Sequence, residues 1–173
     1  QKTLEQLKAQ RPGESLASVR LGQLYTQQNR FDAALKAQAG HRPGGWDWHH
    51  LHFLWYSALM EGRTTLSLAT AREQQRRYGS RGDGFGEYAR LLPLATLVRL
   101  QRWDEVLTEP VSEQGLGLVA GYGAYARGMA FAQTGRLPQA KAALADLTRL
   151  SAQPTLQRAS LFGETLPRKL LAM

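Results

Sequence analysis

Four short polar breaks, separated by 33, 39 and 34 residues, are the feature that most constrains how this chain can fold. In register, one position of the breaks holds Asn, Gly, Gln and Gly in turn, and the next position is Arg all four times. Gly and Asn tolerate the left-handed backbone that commonly ends a helix. The pattern therefore predicts four helix–turn–helix units. Their turn residues are Asn29, Gly62, Gln101 and Gly135.

The residues after each break are suited to starting a second helix. Asp32, Thr64 and Asp104 carry side-chain oxygens that can cap a helix N-terminus. Pro138 fits the first turn of a helix, where its missing N–H is not needed. Each unit is therefore expected to contain two antiparallel helices joined by a few residues. By the same reasoning, Asp83 and Glu87 are expected to cap the helix that begins near residue 86.

Apolar periodicity, with Gly and Pro as punctuation, predicts an all-α fold for the whole chain. The whole chain, 1–173, is predicted to form a single domain. Its repeats lie near 14–40, 47–78, 86–108 and 117–150, and a capping segment follows over about 155–172. The individual helices are predicted at 2–10, 14–27, 31–40, 47–60, 64–78, 86–100, 103–108, 117–134 and 137–150.

Composition supports a folded domain and excludes some classes of chemistry. Hydrophobic residues make up 43% of the chain and charged residues 21%, an ordinary globular mixture. The absence of cysteine excludes disulfides, thiol catalysis and Cys-ligated zinc. No stretch reaches the roughly 18 apolar residues that indicate a membrane span.

The chain is strongly basic, with a formal net charge of +8. A basic surface can attract nucleic acid, anionic lipid or an acidic protein. The basic residues are spread along the whole sequence, which favours a solvated surface. Nucleic-acid binding stays open but is not favoured.

Two of the helix–turn–helix repeats carry residues that resemble a known family. Leu21-Gly22 and Tyr25 lie in the first helix of repeat one, and Ala34 follows in its second helix. Repeat four has Gly128, Phe131, Gly135 and Ala140 in corresponding places. These residues resemble the tetratricopeptide repeat, a 34-residue helix–turn–helix. The resemblance implies an α-α superhelix, or solenoid, of about four antiparallel helix pairs with a C-terminal capping helix.

Residues from about 46 to 150 resemble more narrowly a set of bacterial tetratricopeptide-repeat proteins of no assigned function. Members of that set usually carry further helix pairs before this region. The resemblance therefore implies the C-terminal part of a longer bacterial solenoid, in the cytoplasm or the periplasm, and implies no activity. The strings that carry it are His49 to Trp55, Met60 to Arg63, Pro93-Leu94, Val98-Arg99, Arg102 to Asp104 and Tyr125 to Gly128.

The histidines are clustered at positions 41, 49, 50 and 52. On a helix, His49 and His52 are three residues apart and share a face. With His41 or Asp47 nearby, they could hold a transition metal through imidazole nitrogen. The favoured interpretation is that the histidines make hydrogen bonds within repeat two. A metal-binding or small-ligand-binding protein is the alternative.

Trp46, Trp48, Phe53, Trp55 and Tyr56 form an aromatic cluster in the same region. Its helical spacing favours a place in the core for most of the rings, with Trp46 or Tyr56 expected to reach a groove. The first helices of the four repeats are expected to line a concave surface that binds a protein or peptide. The candidate contact residues are Tyr25, His49, His52, Tyr56, Arg99, Tyr125 and Arg127.

No nucleotide loop or catalytic motif is recognisable in the sequence. Gly121, Ala124 and Gly128 instead place small residues along one helix, so a neighbouring helix is expected to approach closely. There is no Gly-x-Ser-x-Gly elbow and no Walker loop. We therefore expect a non-catalytic binding scaffold without a cofactor. An accessory helical domain of a larger enzyme or transport assembly is a further alternative.

Overall fold

The computed structural model describes residues 2–11, 15–38, 47–111 and 117–155, and every regular element within them is an α-helix. The all-α expectation is therefore confirmed. The helices are α1 (Lys2–Gln10), α2 (Ser15–Gln27), α3 (Phe31–Gln38), α4 (Asp47–Met60), α5 (Thr64–Tyr78), α6 (Gly84–Arg99), α7 (Trp103–Thr108), α8 (Leu118–Gln133) and α9 (Leu137–Ser151).

These bounds differ from the predicted ones by two residues or fewer at either end. The agreement reflects local signals, because apolar periodicity and turn residues act over a few positions. The predicted capping segment over 155–172 lies, apart from Thr155, outside the described residues.

All four predicted turn residues have left-handed backbones. The φ angle is 55° at Asn29, 67° at Gly62, 56° at Gln101 and 75° at Gly135. A left-handed residue reverses the chain within a few positions, and the next helix can then return alongside the previous one. The predicted helix–turn–helix register is confirmed at each break.

The same pair of backbone hydrogen bonds closes each turn. In the first turn, the N–H of Arg30 donates to the carbonyl of Tyr25 at 2.8 Å, and that of Asn29 to Thr26 at 3.0 Å. The other three turns repeat both bonds at the equivalent residues. This arrangement is the Schellman motif, which satisfies carbonyls that the end of a helix would otherwise leave without partners.

The Arg after each turn residue is the residue from which the second helix starts. The Arg102 carbonyl accepts from Val106 N–H at 3.0 Å, and Arg136 accepts likewise from Ala140 at 3.0 Å. Arg102 is the N-cap of α7 and makes no side-chain capping bond. The expectation that Asp104 caps this helix is therefore wrong, since the Schellman turn puts the start two residues earlier. Asp104 lies in the first turn, where its charge favours the helix dipole.

The chain divides into two compact units, Gln1–Gln74 and Gln75–Met173, with the division inside α5. The core of unit 1 contains Leu21 and Tyr25 of α2 packed against Ala34 and Ala37 of α3. Polar contacts link α4 to its neighbours within this unit. The hydroxyls of Thr26 and Ser57 lie 3.1 Å apart, and the Gln74 amide donates to the Leu51 carbonyl at 3.5 Å.

Unit 2 is organised around a buried carboxylate. Glu87 is 1% exposed, and its Oε2 accepts from the N–H of Leu118 at 2.9 Å. Leu118 begins α8, whose N-cap is the left-handed Gly117. The expectation that Glu87 caps its own helix is therefore wrong, because its side chain caps α8 instead. The accompanying expectation for Asp83 is confirmed, since its side chain accepts from Gly86 N–H at 3.0 Å.

Arg90 connects this carboxylate to the loop before α6. Its Nη2 lies 3.5 Å from Glu87 Oε1, while Nη1 donates to the carbonyls of Gly79 and, at 3.3 Å, Arg81. The Gln75 amide in turn donates to the Arg90 carbonyl at 3.2 Å. The two charged side chains thus fix the loop between α5 and α6 and the start of α8 together.

Small residues let α8 and α9 pack closely. A Cβ added at Gly128 would lie 3.4 Å from the Cβ of Ala143, an ordinary contact distance. At Gly123 an added Cβ would lie 2.6 Å from Val111 Cγ1, so that position requires glycine or a shift of Val111. A neighbouring helix therefore packs at Gly128, but at a distance that Ala would also allow.

A glycine substitution tests the turn geometry. Gly135→Ala should lower the free energy of unfolding by about 1 kcal/mol, because a Cβ is unfavourable at positive φ. No atom lies within 4 Å of the added Cβ, so the cost is conformational. Gly82→Ala is the matched control, since Gly82 is equally open and lacks a positive φ. Urea unfolding should show the control unchanged or slightly stabilised; equal losses would contradict the argument.

Two Glu–Arg pairs of the same sequence spacing allow a test of the buried carboxylate. Glu87→Ala should destabilise the protein by about 3 kcal/mol or more, because it leaves the Arg90 charge and the Leu118 N–H without their buried partner. Glu105 pairs with Arg102 at the surface, with side chains 39% and 41% exposed. Glu105→Ala should therefore cost less than about 1 kcal/mol. Similar losses in chemical denaturation would show that Glu87 is not an organising group.

Candidate interaction surface

An apolar groove runs between α8 and α9, with a volume of about 290 Å³. Small residues occupy the bottom, where the two helices meet, and larger side chains flank it. We call this feature the α8–α9 groove. It is lined by Ala124, Tyr125, Gly128, Met129, Ala132, Leu137, Ala140, Lys141, Ala143, Leu144 and Leu147.

The flanking leucines are unusually exposed for apolar side chains. Leu137 is 61% and Leu144 63% exposed, and Tyr125 across the groove is 39% exposed. Leu137 and Leu144 are seven residues apart and share one face of α9. Ala143 of α9 is buried beside Gly128 of α8, so a different face of α9 forms the helix pair. The leucines consequently extend the groove toward solvent.

A second cavity of about 310 Å³ shares Met129 with the groove. Arg99, at the end of α6, is exposed, and Trp103 begins α7. Val98, Gln101 and Gln133 complete the lining of this Arg99 cavity. The groove and the cavity meet at Met129, and we call the two together the Met129 surface.

The Met129 surface combines apolar and cationic groups. Its two cations are Arg99 in the cavity and Lys141 in the groove, and neither lining includes an acidic side chain among the described residues. Within the described part of the chain, neither cation forms an ion pair. Among the described lining residues, the two positive charges are therefore not balanced by a carboxylate of the same lining.

The predicted histidine site is dominated by aromatic contacts. The His52 ring stacks on Trp48 with centroids 5.5 Å apart, and the Trp55 ring centroid lies 5.3 Å away. Burial, and secondarily the charge of His49, lower the pKa of His52 to about 4. The imidazole is consequently neutral near pH 7.

His49 is exposed on the same helix. His41 and the side chain of Asp47 lie outside the described residues, and the described ones contain no group of three potential metal ligands. Metal binding by His49 and His52 stays a prediction.

Tyr25 and Tyr56 occupy contrasting environments in unit 1. Tyr25 is only 8% exposed. Its hydroxyl donates to Glu5, and the Arg30 guanidinium lies 4.7 Å from its ring centroid. Tyr56 is 38% exposed and meets Phe31 edge-on at 6.1 Å. Tyr56 is thus accessible to a partner, whereas Tyr25 belongs mainly to the core. Trp46, the other ring expected to reach a groove, lies outside the described residues.

The structure brings two of the predicted contact residues to the Met129 surface and places a third elsewhere. Arg99 lines one of its cavities and Tyr125 the other. Arg127 lines another cavity of about 600 Å³, together with Asp146 and Arg149, and this cavity shares Ala124 and Ala143 with the α8–α9 groove. Those two side chains pair at 3.1 Å, so the charge of Arg149 is balanced locally.

Sequence reasoning missed the part of this surface that α9 contributes. The concave surface was expected to come from the first helix of each repeat, but α9 is the second helix of its pair. The seven-residue spacing of Leu137 and Leu144 was the available signal. Met129 and Trp103 offered no such signal, because a single apolar residue in a sequence does not indicate whether other helices cover its side chain.

Comparisons with protein-family models, with curated proteins and with solved structures find no match to this chain. The interpretation of the surface therefore depends on its own geometry and charge. Among the described helices, none has both the length and the apolar character needed to cross a membrane.

The buried imidazole predicts a specific acid dependence of stability. His52 takes up a proton at a pKa of about 4 in the folded chain and at about 6.5 when unfolded. Above pH 6.5, the neutral imidazole of His52 makes its full contribution to the free energy of unfolding. As the pH falls from 6.5 to 4, this stability is lost at up to about 1.4 kcal/mol per pH unit.

Urea unfolding at pH 7 and pH 5 measures this loss. His52→Phe should remove most of it, because no imidazole remains to be protonated on unfolding. His49→Gln, on the exposed face of the same helix, should keep most of it, since burial is the larger cause of the His52 shift. An unchanged acid dependence in His52→Phe would contradict the assignment.

Proposed function

We propose that this chain is a non-catalytic scaffold of tetratricopeptide-like helix pairs that binds a protein or peptide through the Met129 surface. The observation that carries the proposal is the pair of exposed leucines beside an apolar groove. Leu137 and Leu144 are each more than 60% exposed. Contiguous exposed apolar patches on folded domains commonly mark interaction sites.

The composition of the surface supports binding. Covering a leucine side chain stabilises a complex by roughly 1.5–3 kcal/mol, and two exposed leucines lie on one face of α9 here. Tyr125, Met129 and Arg99 belong to residue types that are enriched in protein interfaces. The surface therefore offers both the apolar area and the anchoring groups that a partner needs.

The repeated turns support the helical-repeat part of the proposal. Four Schellman turns with Arg in the same position join four successive helix pairs. Units of this kind bury their apolar faces against neighbours and leave extended surfaces for recognition. Within unit 1 taken by itself, Tyr56 and His49 stay candidate contact residues.

A comparison of two leucine substitutions tests the proposal. The full chain carrying Leu144→Glu should lose the partner that the unmodified chain recovers, because the substitution places a charge on the apolar wall. Leu16→Glu is the matched control, since Leu16 is 46% exposed on α2 of unit 1. Affinity capture followed by mass spectrometry measures recovery, and circular dichroism confirms that both variants fold.

The control should retain the partner. The same partner bound equally by Leu144→Glu and Leu16→Glu would contradict a role for the groove. Recovery of no partner by the unmodified chain would contradict the scaffold function itself.

A further inference from the structure

We infer that the Met129 surface binds an acidic amphipathic helix of a partner protein. This inference rests on the proposed binding function and specifies the chemical class of the partner. It follows from the shape of the groove, from the apolar character of its lining and from the two unbalanced cations.

The shape of the α8–α9 groove fits a helix. Tyr125, Met129 and Ala132 line the α8 side at helical spacing, and Leu137 and Leu144 line the α9 side. Side-chain ridges of one helix pack into grooves of this kind. Seven residues of α9 correspond to roughly 10 Å of rise, or about two turns. A partner segment of similar length would therefore contact both ends of the groove.

The lining favours a helix over an extended peptide. Along the groove, Lys141 and the Tyr125 hydroxyl are the only polar side-chain groups among the described lining residues. An extended peptide would bury backbone N–H and carbonyl groups against this apolar wall without hydrogen-bond partners. A helix satisfies its backbone internally, so it avoids that cost.

The charge of the surface selects an acidic partner. Lys141 lies between Leu137 and Leu144 along α9, so a partner helix that covers both leucines passes the ammonium group. Arg99 extends the positive charge into the adjoining cavity. Because neither lining contains an acidic side chain among the described residues, Asp or Glu beside the apolar stripe of the partner would supply the missing opposite charge.

The cavity around Arg127 lacks this combination. Asp146 lies in its lining and pairs with Arg149, so part of its positive charge is already balanced. Its lining also includes the polar side chains of Gln139, Gln153 and Thr155. The Met129 surface is therefore the better match for an acidic amphipathic helix.

The test uses helix-stabilised fluorescent peptides of about four turns and the full chain. One peptide carries leucines on one face and flanking glutamates; a second replaces every glutamate with lysine, and a third places proline in the middle of the acidic sequence. Fluorescence anisotropy at low and high salt measures affinity. The acidic helix should bind at least about tenfold more tightly than either other peptide, and salt should weaken its binding.

Two charge reversals locate the effect. Lys141→Glu and Arg99→Glu should each weaken binding of the acidic helix by about tenfold and improve binding of the lysine peptide. Lys2→Glu, which changes the net charge equally on α1 of unit 1, is the matched control and should leave both affinities unchanged. Equal effects of all three reversals would overturn the inference, because they would report only the overall charge.

The remaining outcomes separate the inference from the proposed function. Equal binding of the acidic and lysine peptides, or of the proline peptide, would overturn an acidic helix as the ligand. If no peptide binds while Leu144→Glu still abolishes partner capture, the inference fails and the scaffold function stands. A dimer in sedimentation equilibrium that Leu144→Glu dissociates would overturn the inference, since a second copy would then occupy the groove.

Discussion

The left-handed residue at the end of the first helix in each pair is the constraint on which the rest of the structure depends. It allows two backbone hydrogen bonds to close the turn and makes the following Arg the start of the next helix. Asn29 and Gln101 adopt this left-handed backbone conformation although they carry a side chain, which costs roughly 1–2 kcal/mol for a residue other than glycine. The turn bonds and the packing of the paired helices offset that cost.

A second constraint acts over a longer distance within unit 2. Gly117 has no side chain to cap α8, and Glu87 supplies the acceptor for Leu118 instead. Arg90 ties the same carboxylate to the loop before α6. The position of α8 is thus fixed through α6, while α9 packs against α8 where Ala143 faces Gly128. These contacts place the two helices that line the α8–α9 groove.

The sequence was sufficient for features that depend on neighbouring residues. Helix bounds and the left-handed turns were predictable because periodicity and turn chemistry are local. The helix caps were harder, since Asp104 looks like an N-cap until the turn motif moves the start of α7 to Arg102. The partner of Glu87 lies 31 residues away, and no local pattern indicates that contact.

The candidate site was predictable only in part, for a related reason. Arg99 and Tyr125 were predicted as contact residues on first helices, and both line the Met129 surface. The contribution of α9 was missed because periodicity shows that Leu137 and Leu144 share a face, but not whether another helix covers it. The metal hypothesis for the histidines depended on a shared helix face, whereas the surroundings of His52 are aromatic rings.

A partner helix should occupy the groove between α8 and α9 rather than another exposed apolar region. Methyl-labelled NMR spectra of the full chain, recorded while an acidic amphipathic helix is added, test it most directly. Binding in the groove should change the chemical shifts of the methyl groups of Met129, Leu137 and Leu144 and leave those of Leu16 and Leu66 unchanged. Changes centred on Leu16 and Leu66, or no change in any methyl group at saturating peptide, would contradict it.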